Sequence, residues 1–133
     1  MHRSFYYYIA AGASTAIAGI LHLVWASSII GKAPPIFSIF FIISGIAQAF
    51  WALPMIKRWG RKWYYIGLVG TVVLVILYAA TRLPNQLTGG RPAPTNEIGI
   101  SILIFEIAYI AITSKILIRE RRIKKVRDRE QLR

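Results

Sequence analysis

Two ionisable side chains lie deep inside apolar sequence, His22 and Glu106, and a carboxamide, Gln48, lies in a third apolar stretch. Ionisable groups within such stretches are costly and ordinarily turn toward a bundle interior, so these residues are the first candidates for chemistry. An imidazole beside a carboxylate can handle a proton. The alternative is structural: His and Glu that satisfy each other between helices act as glue, and hydrogen bonds in membranes average about 0.6 kcal/mol.

Other chemistries find no donors. One buried His, one Glu and no Cys fall short of the three or four ligands that zinc and copper sites use, so no metal is expected. His2 lies beyond the far end of the helix that carries His22, which excludes haem held by two histidines of this chain. The absence of cysteine removes disulfides, thiolate sites and Cys-based catalysis. No Ser-His-Asp set, phosphate-cradling loop or zinc-protease motif is present, and Gly89-Gly90 reads as turn chemistry. No cofactor is expected, and a catalytic role would need groups that the sequence does not supply.

The elements that must position His22, Gln48 and Glu106 are four long apolar stretches, about 5–30, 35–55, 64–80 and 98–118. Each is close to the ~20 residues that cross a ~30 Å hydrocarbon layer. With 133 residues and 56% hydrophobic content, the expectation is one all-α integral membrane four-helix bundle over 1–118, followed by a basic tail over 119–133. The opening Met1-His2-Arg3 and its apolar run resemble a signal peptide, but the run is too long for one and reads as the first membrane helix.

The formal charge is +12. Of the 17 Lys and Arg residues, all but Lys32, Arg82 and Arg91 fall at the N-terminus, in the second connector or near and beyond the end of the fourth span. By the positive-inside rule, both termini are cytoplasmic and the protein is a multi-pass protein of the cell membrane. The charge then faces anionic lipid headgroups or a partner rather than nucleic acid, because the tail has no aromatic side chains on which bases could stack.

Several features fix how the spans meet. The first is rich in small residues, among them Gly12 and Gly19, which permit close approach by a neighbour and predict a central helix. The short turn Gly31-Lys32-Ala33-Pro34-Pro35 makes spans one and two an antiparallel hairpin, and span two should end near Pro54. Gly45 on span two, and Gly67 and Gly70 on span three, are further helix-packing positions. Lys57, Arg58, Arg61 and Lys62 surround Trp59 and Trp63 in a connector suited to the headgroup boundary. Residues 81–97, with their prolines and glycines, form a loop; Asn96 is the expected N-cap of span four and Glu97 suits its first turn.

Depth and facing then bring the polar residues together. At ~1.5 Å per residue, His22 and Glu106 each lie nine residues, about 13 Å, from Gly31 and Glu97. Thr15, Gly19, His22 and Ala26 share one helical stripe, and Gly99, Glu106 and Thr113 another. Gln48, with Ser44, Gly45 and Ala52 around it, faces the bundle one to two turns nearer the cytoplasm. The expected site is a polar core of His22, Gln48 and Glu106, capped by an Arg82–Glu97 ion pair at the outer loop. In the tail, Ile116, Ile123 and Val126 make a narrow apolar stripe, so helix four should continue into the cytoplasm. Its Arg119, Arg121, Arg122, Lys124 and Lys125 offer a surface to lipid headgroups or to a partner's cytoplasmic face.

Gly19-Ile20-Leu21-His22-Leu23, Gly45-Ile46-Ala47-Gln48, Gly67-Leu68-Val69-Gly70, Thr81-Arg82 with Pro84, and then Glu97 and Glu106, together resemble small four-helix membrane proteins of archaea and actinobacteria. That resemblance implies a fold and no activity. The overall character is also similar to the small helical accessory subunits of archaeal membrane-bound ammonia monooxygenase, which implies a scaffold around copper-bearing subunits. The leading expectation is a non-catalytic accessory subunit of a larger membrane complex, made with other membrane protein subunits. The alternative is a small proton- or ligand-handling membrane protein that uses His22 and Glu106.

Overall fold

The computed structural model describes residues 2–32, 34–81 and 97–133. Four α-helices account for nearly all of them: α1 (His2–Ile29), α2 (Pro35–Ile56), α3 (Arg61–Thr81) and α4 (Glu97–Gln131). All four are long and apolar enough to cross a membrane.

Local chemistry sets the helix ends. α1 stops before Gly31, whose φ of 80° turns the chain, and the Lys32 N–H closes the end on the Ile29 carbonyl at 3.0 Å. α2 opens on Pro35, where a missing N–H costs nothing. Pro54 does not end α2, which continues to Ile56; a proline this close to the end forfeits one ladder bond while the last turn still closes. Lys57 N–H donates to Leu53 O at 2.9 Å, and Trp59 N–H to Pro54 O at 3.0 Å. Gly60, at φ 128°, redirects the chain, so α3 begins at Arg61, three residues before the apolar stretch itself.

α1 is the central helix, packed along α2 and against α4; α3 lies on α4 and meets α2 only sparingly. The α1–α2 seam is a near-contact of backbones. A Cβ added to Gly19 would fall 2.6 Å from the Gly45 carbonyl oxygen and from the Ala49 nitrogen, and one added to Gly45 would fall 2.8 Å from the Gly19 oxygen. Gly12 extends the seam, its Cβ position lying 2.7 Å from Ile56. Within it, the Thr15 hydroxyl donates to the Gln48 carbonyl at 3.0 Å. Gly67 leaves room for Trp51 and the Tyr109 hydroxyl, which a Cβ would strike. Gly70 departs from the packing role expected of it: nothing lies within 4 Å of its Cβ position. Three residues rotate a helix short of a full turn, so Thr71, four residues on from Gly67, takes the inward place and is buried.

The apolar core is Tyr8, Ala11, Met55, Tyr64, Tyr109, Ile116 and Leu117. It gathers at the end of the bundle that carries the N-terminus and the α2–α3 turn, called here the basic end. Outward faces of α2 and α3 stay apolar, with Ile36, Ile43, Ile66, Val69 and Ile76 exposed. α4 runs unbroken for 35 residues, about 50 Å, and is exposed along its whole length after Glu120.

Gly19→Val should destabilise the bundle by about 1–3 kcal/mol through overpacking of the α1–α2 seam. Gly70→Ala should raise stability by about 0.4–1 kcal/mol, since its new methyl meets nothing and alanine loses less backbone freedom in the helix. Unfolding in mixed dodecylmaltoside and SDS micelles measures both.

Candidate functional site

His22 from α1, Gln48 from α2 and Glu106 from α4 meet at mid-height in the bundle, and all three are at most 5% exposed. The inward stripe of α1 carries His22 there, and Thr15 and Ala26 on that stripe are buried with it. Gln48 Nε2 donates to Glu106 Oε1 at 3.1 Å. His22 Nε2 stands 3.7 Å from the same oxygen. The Gln48 side chain also lies against the His22 ring, and Phe41 covers the ring with a centroid separation of 5.8 Å.

Gln48 thus reaches the level of Glu106 although its backbone sits deeper from the α2 start. Side chains lean toward the N-terminus of their helix, which tips the amide back up α2 and closes the offset. The site joins three helices through one carboxylate oxygen.

The His22 tautomer follows from its other nitrogen. Nδ1 lies 2.9 Å from the Ala18 carbonyl oxygen. A carbonyl only accepts, so Nδ1 carries a hydrogen and Nε2 is the position whose protonation is free to vary. The Gln48 amide, having turned its nitrogen toward Glu106, leaves its Oε1 buried without a hydrogen-bond donor. In chemical terms the arrangement can bind a hydrogen-bonding species or a proton; among the described residues no group of three or more His, Cys, Asp or Glu could hold a metal ion.

The remaining expected residues are scattered. Arg82 and Asn96 lie outside the described residues, so neither the Arg82–Glu97 pair nor the Asn96 cap is part of the described structure. Glu97 occupies the first turn of α4 and is exposed. Lys57, Arg58 and Lys62 are exposed and Arg61 half-buried at the basic end. The Arg58 guanidinium lies 5.4 Å from the Tyr8 ring centroid and 6.0 Å from that of Phe5, tying the α2–α3 turn to α1. Arg119, Arg121, Arg122, Lys124 and Lys125 are exposed on the projecting part of α4.

Sequence reasoning did not single out a second polar clasp at the basic end. The Tyr8 hydroxyl donates to the Glu120 carboxylate, and the Tyr64 ring packs against Tyr8 at a tilt of 55° with centroids 5.8 Å apart. Lys115 stands 4.7 Å over the Tyr7 ring, and the Tyr109 hydroxyl points at Met55 Sδ at 3.8 Å. A signal for the clasp was present: Tyr8 precedes His22 by fourteen residues and Glu120 follows Glu106 by fourteen. Fourteen residues are close to four helical turns, so the antiparallel α1–α4 pairing that joins one pair joins the other.

No protein-family model, curated protein or solved structure matches this chain.

Tyr8→Phe removes the α1–α4 clasp and keeps the ring, and should lower stability by about 1.5–3 kcal/mol, the range for a hydrogen bond to a charged group. Tyr6→Phe, at a residue 67% exposed, should change nothing. Thermal unfolding of both variants in detergent tests this.

Proposed function

We propose that the protein is a multi-pass cell-membrane protein with both termini in the cytoplasm. In this reading it is a non-catalytic accessory subunit that docks other membrane-complex subunits through the projecting part of α4. The observation that carries this reading is the unbroken 35-residue course of α4.

A bilayer's headgroup zone adds about 5–7 Å beyond each face of the hydrocarbon, and charge is screened over about 8 Å at physiological ionic strength. The last core contact of α4 is Leu117. Arg119, Arg121 and Arg122 therefore sit at headgroup height, where each cation near anionic lipid contributes about 1 kcal/mol. Arg127 and Arg129 stand about 15–18 Å beyond Leu117 on a straight helix, past the reach of lipid charge. Ile123 and Val126, about 9 and 14 Å beyond Leu117, are also uncovered, 58% and 56% exposed, beside Arg122, Arg127 and Glu130. A stripe that mixes apolar and oppositely charged side chains suits a protein surface, whereas nucleic acid would leave the apolar residues uncovered and meet Asp128 and Glu130 as repulsion. The distal helix therefore addresses a partner with an acidic, partly apolar cytoplasmic surface.

The expected result at native expression, in mild detergent, is a mass well above 15.0 kDa with defined co-purifying chains. Their identity would also decide the proposed host, a membrane-bound monooxygenase. Replacing Lys124, Lys125, Arg127 and Arg129 with Glu should release those chains and leave the bundle folded. A lone chain from native membranes would overturn the reading, as would full retention of partners by the charge-reversed tail.

A further inference from the structure

The hydrogen-bond inventory of the buried cluster does not close. Glu106 Oε1 accepts from Gln48 Nε2, and that choice of amide orientation strands Gln48 Oε1, a buried oxygen on a side chain 5% exposed. Buried acceptors without donors are uncommon and costly. Beside them stands one nitrogen of variable protonation, His22 Nε2, since Nδ1 is committed to the Ala18 carbonyl. Two buried side chains with acceptor oxygens, Glu106 with Oε1 at 3.7 Å and Gln48, thus lie beside a single nitrogen.

We infer that the His22–Gln48–Glu106 cluster is a binding site for one exchangeable proton, received at His22 Nε2. The step is a reversible proton transfer from hydronium to the Nε2 lone pair: one O–H bond breaks, one N–H bond forms, and a water molecule is released. The new N–H is a donor beside those two side chains, and the imidazolium so formed neutralises the Glu106 carboxylate, leaving no net charge buried. Among the described residues, no other ionisable group is recorded against His22 or Glu106. Among the described residues, the polar groups beside His22 are Glu106, Gln48 and the Ala18 carbonyl, and those beside Glu106 are Gln48 and His22. α2 brings only the neutral Gln48, and the tyrosines of α3 and α4 that lie in the core, Tyr64 and Tyr109, belong to the basic end. The inference holds whether or not the tail docks a partner, because it concerns the isolated bundle.

The chain has two histidines, so His2→Asn leaves His22 as the one imidazole to observe. The full chain with nitrogen-15 histidine, in nanodiscs of uncharged lipid, is followed by NMR from about pH 4 to 9, the range in which imidazole is ordinarily switched. Nδ1 should stay protonated throughout and Nε2 should switch in a single step. Glu106→Gln should move that step to lower pH by about one unit or more, because the carboxylate that stabilises the imidazolium is gone. In the sequence that retains Glu106, one glutamate carboxyl carbon should shift at the same pH as Nε2; this measurement stands if Glu106→Gln fails to fold. An Nε2 that never switches, a step unmoved by Glu106→Gln, or a glutamate signal that moves independently of Nε2 would overturn the proposal.

Discussion

The near-contact of the α1 and α2 backbones at Gly19 and Gly45 governs the rest of the structure. With no Cβ on either residue the two helices approach until a Cβ at Gly19 would sit 2.6 Å from the Gly45 oxygen. That separation lets the short Thr15 hydroxyl reach the Gln48 backbone, and it sets the register in which Gln48 and His22 share a level. α4 can then offer Glu106 to both. Larger residues at the seam would push the helices apart, and the carboxylate would face a partner on one side only.

From that seam the bundle divides into unlike halves. Toward the basic end, aromatic and aliphatic side chains form a continuous core, reinforced by the Tyr8–Glu120 hydrogen bond and by Arg58 over Tyr8 and Phe5. At mid-height the interior becomes polar, and cohesion passes to His22, Gln48 and Glu106. α3 takes no part in the polar cluster and enters the core through Tyr64 and Leu68. It is held through Tyr64, Gly67 and the Trp51 indole, which donates to the Trp63 carbonyl at 2.8 Å, and it turns most of its apolar surface outward. Three helices carry the cluster, and the fourth is the one with surface to spare.

Much of this was legible in the residues, and the limits have physical causes. The four helices follow from apolar length, and the meeting of His22 with Glu106 from equal depth on inward stripes, because helical periodicity makes facing a function of residue number. Gln48 was harder to place. Its backbone depth suggested a lower level, and only the lean of its side chain brings the amide up to Glu106. α2 ends within two residues of Pro54, and α3 starts three residues ahead of its apolar stretch because hydropathy does not register how turns close; Gly60 and the Lys57 and Trp59 amides decide those boundaries. Gly70 looked like Gly67 in composition but points elsewhere, a difference of rotation that one exposed apolar face conceals. The Tyr8–Glu120 clasp escaped notice because both residues sit at the margin of apolar sequence, where charge and hydroxyl are ordinary. The match of their spacing to that of His22 and Glu106 becomes visible only once α1 and α4 are known to be antiparallel neighbours.

A bundle clipped at its centre by one carboxylate makes an energetic claim that geometry alone does not measure. The most direct measurement is a double-mutant cycle between Gln48→Leu and Glu106→Leu, with unfolding free energies taken in mixed micelles. The two changes should not be additive, with a coupling of about 1 kcal/mol, within the range found for buried hydrogen bonds between membrane helices. Additivity within error would contradict it, since the two side chains would then stabilise the bundle independently.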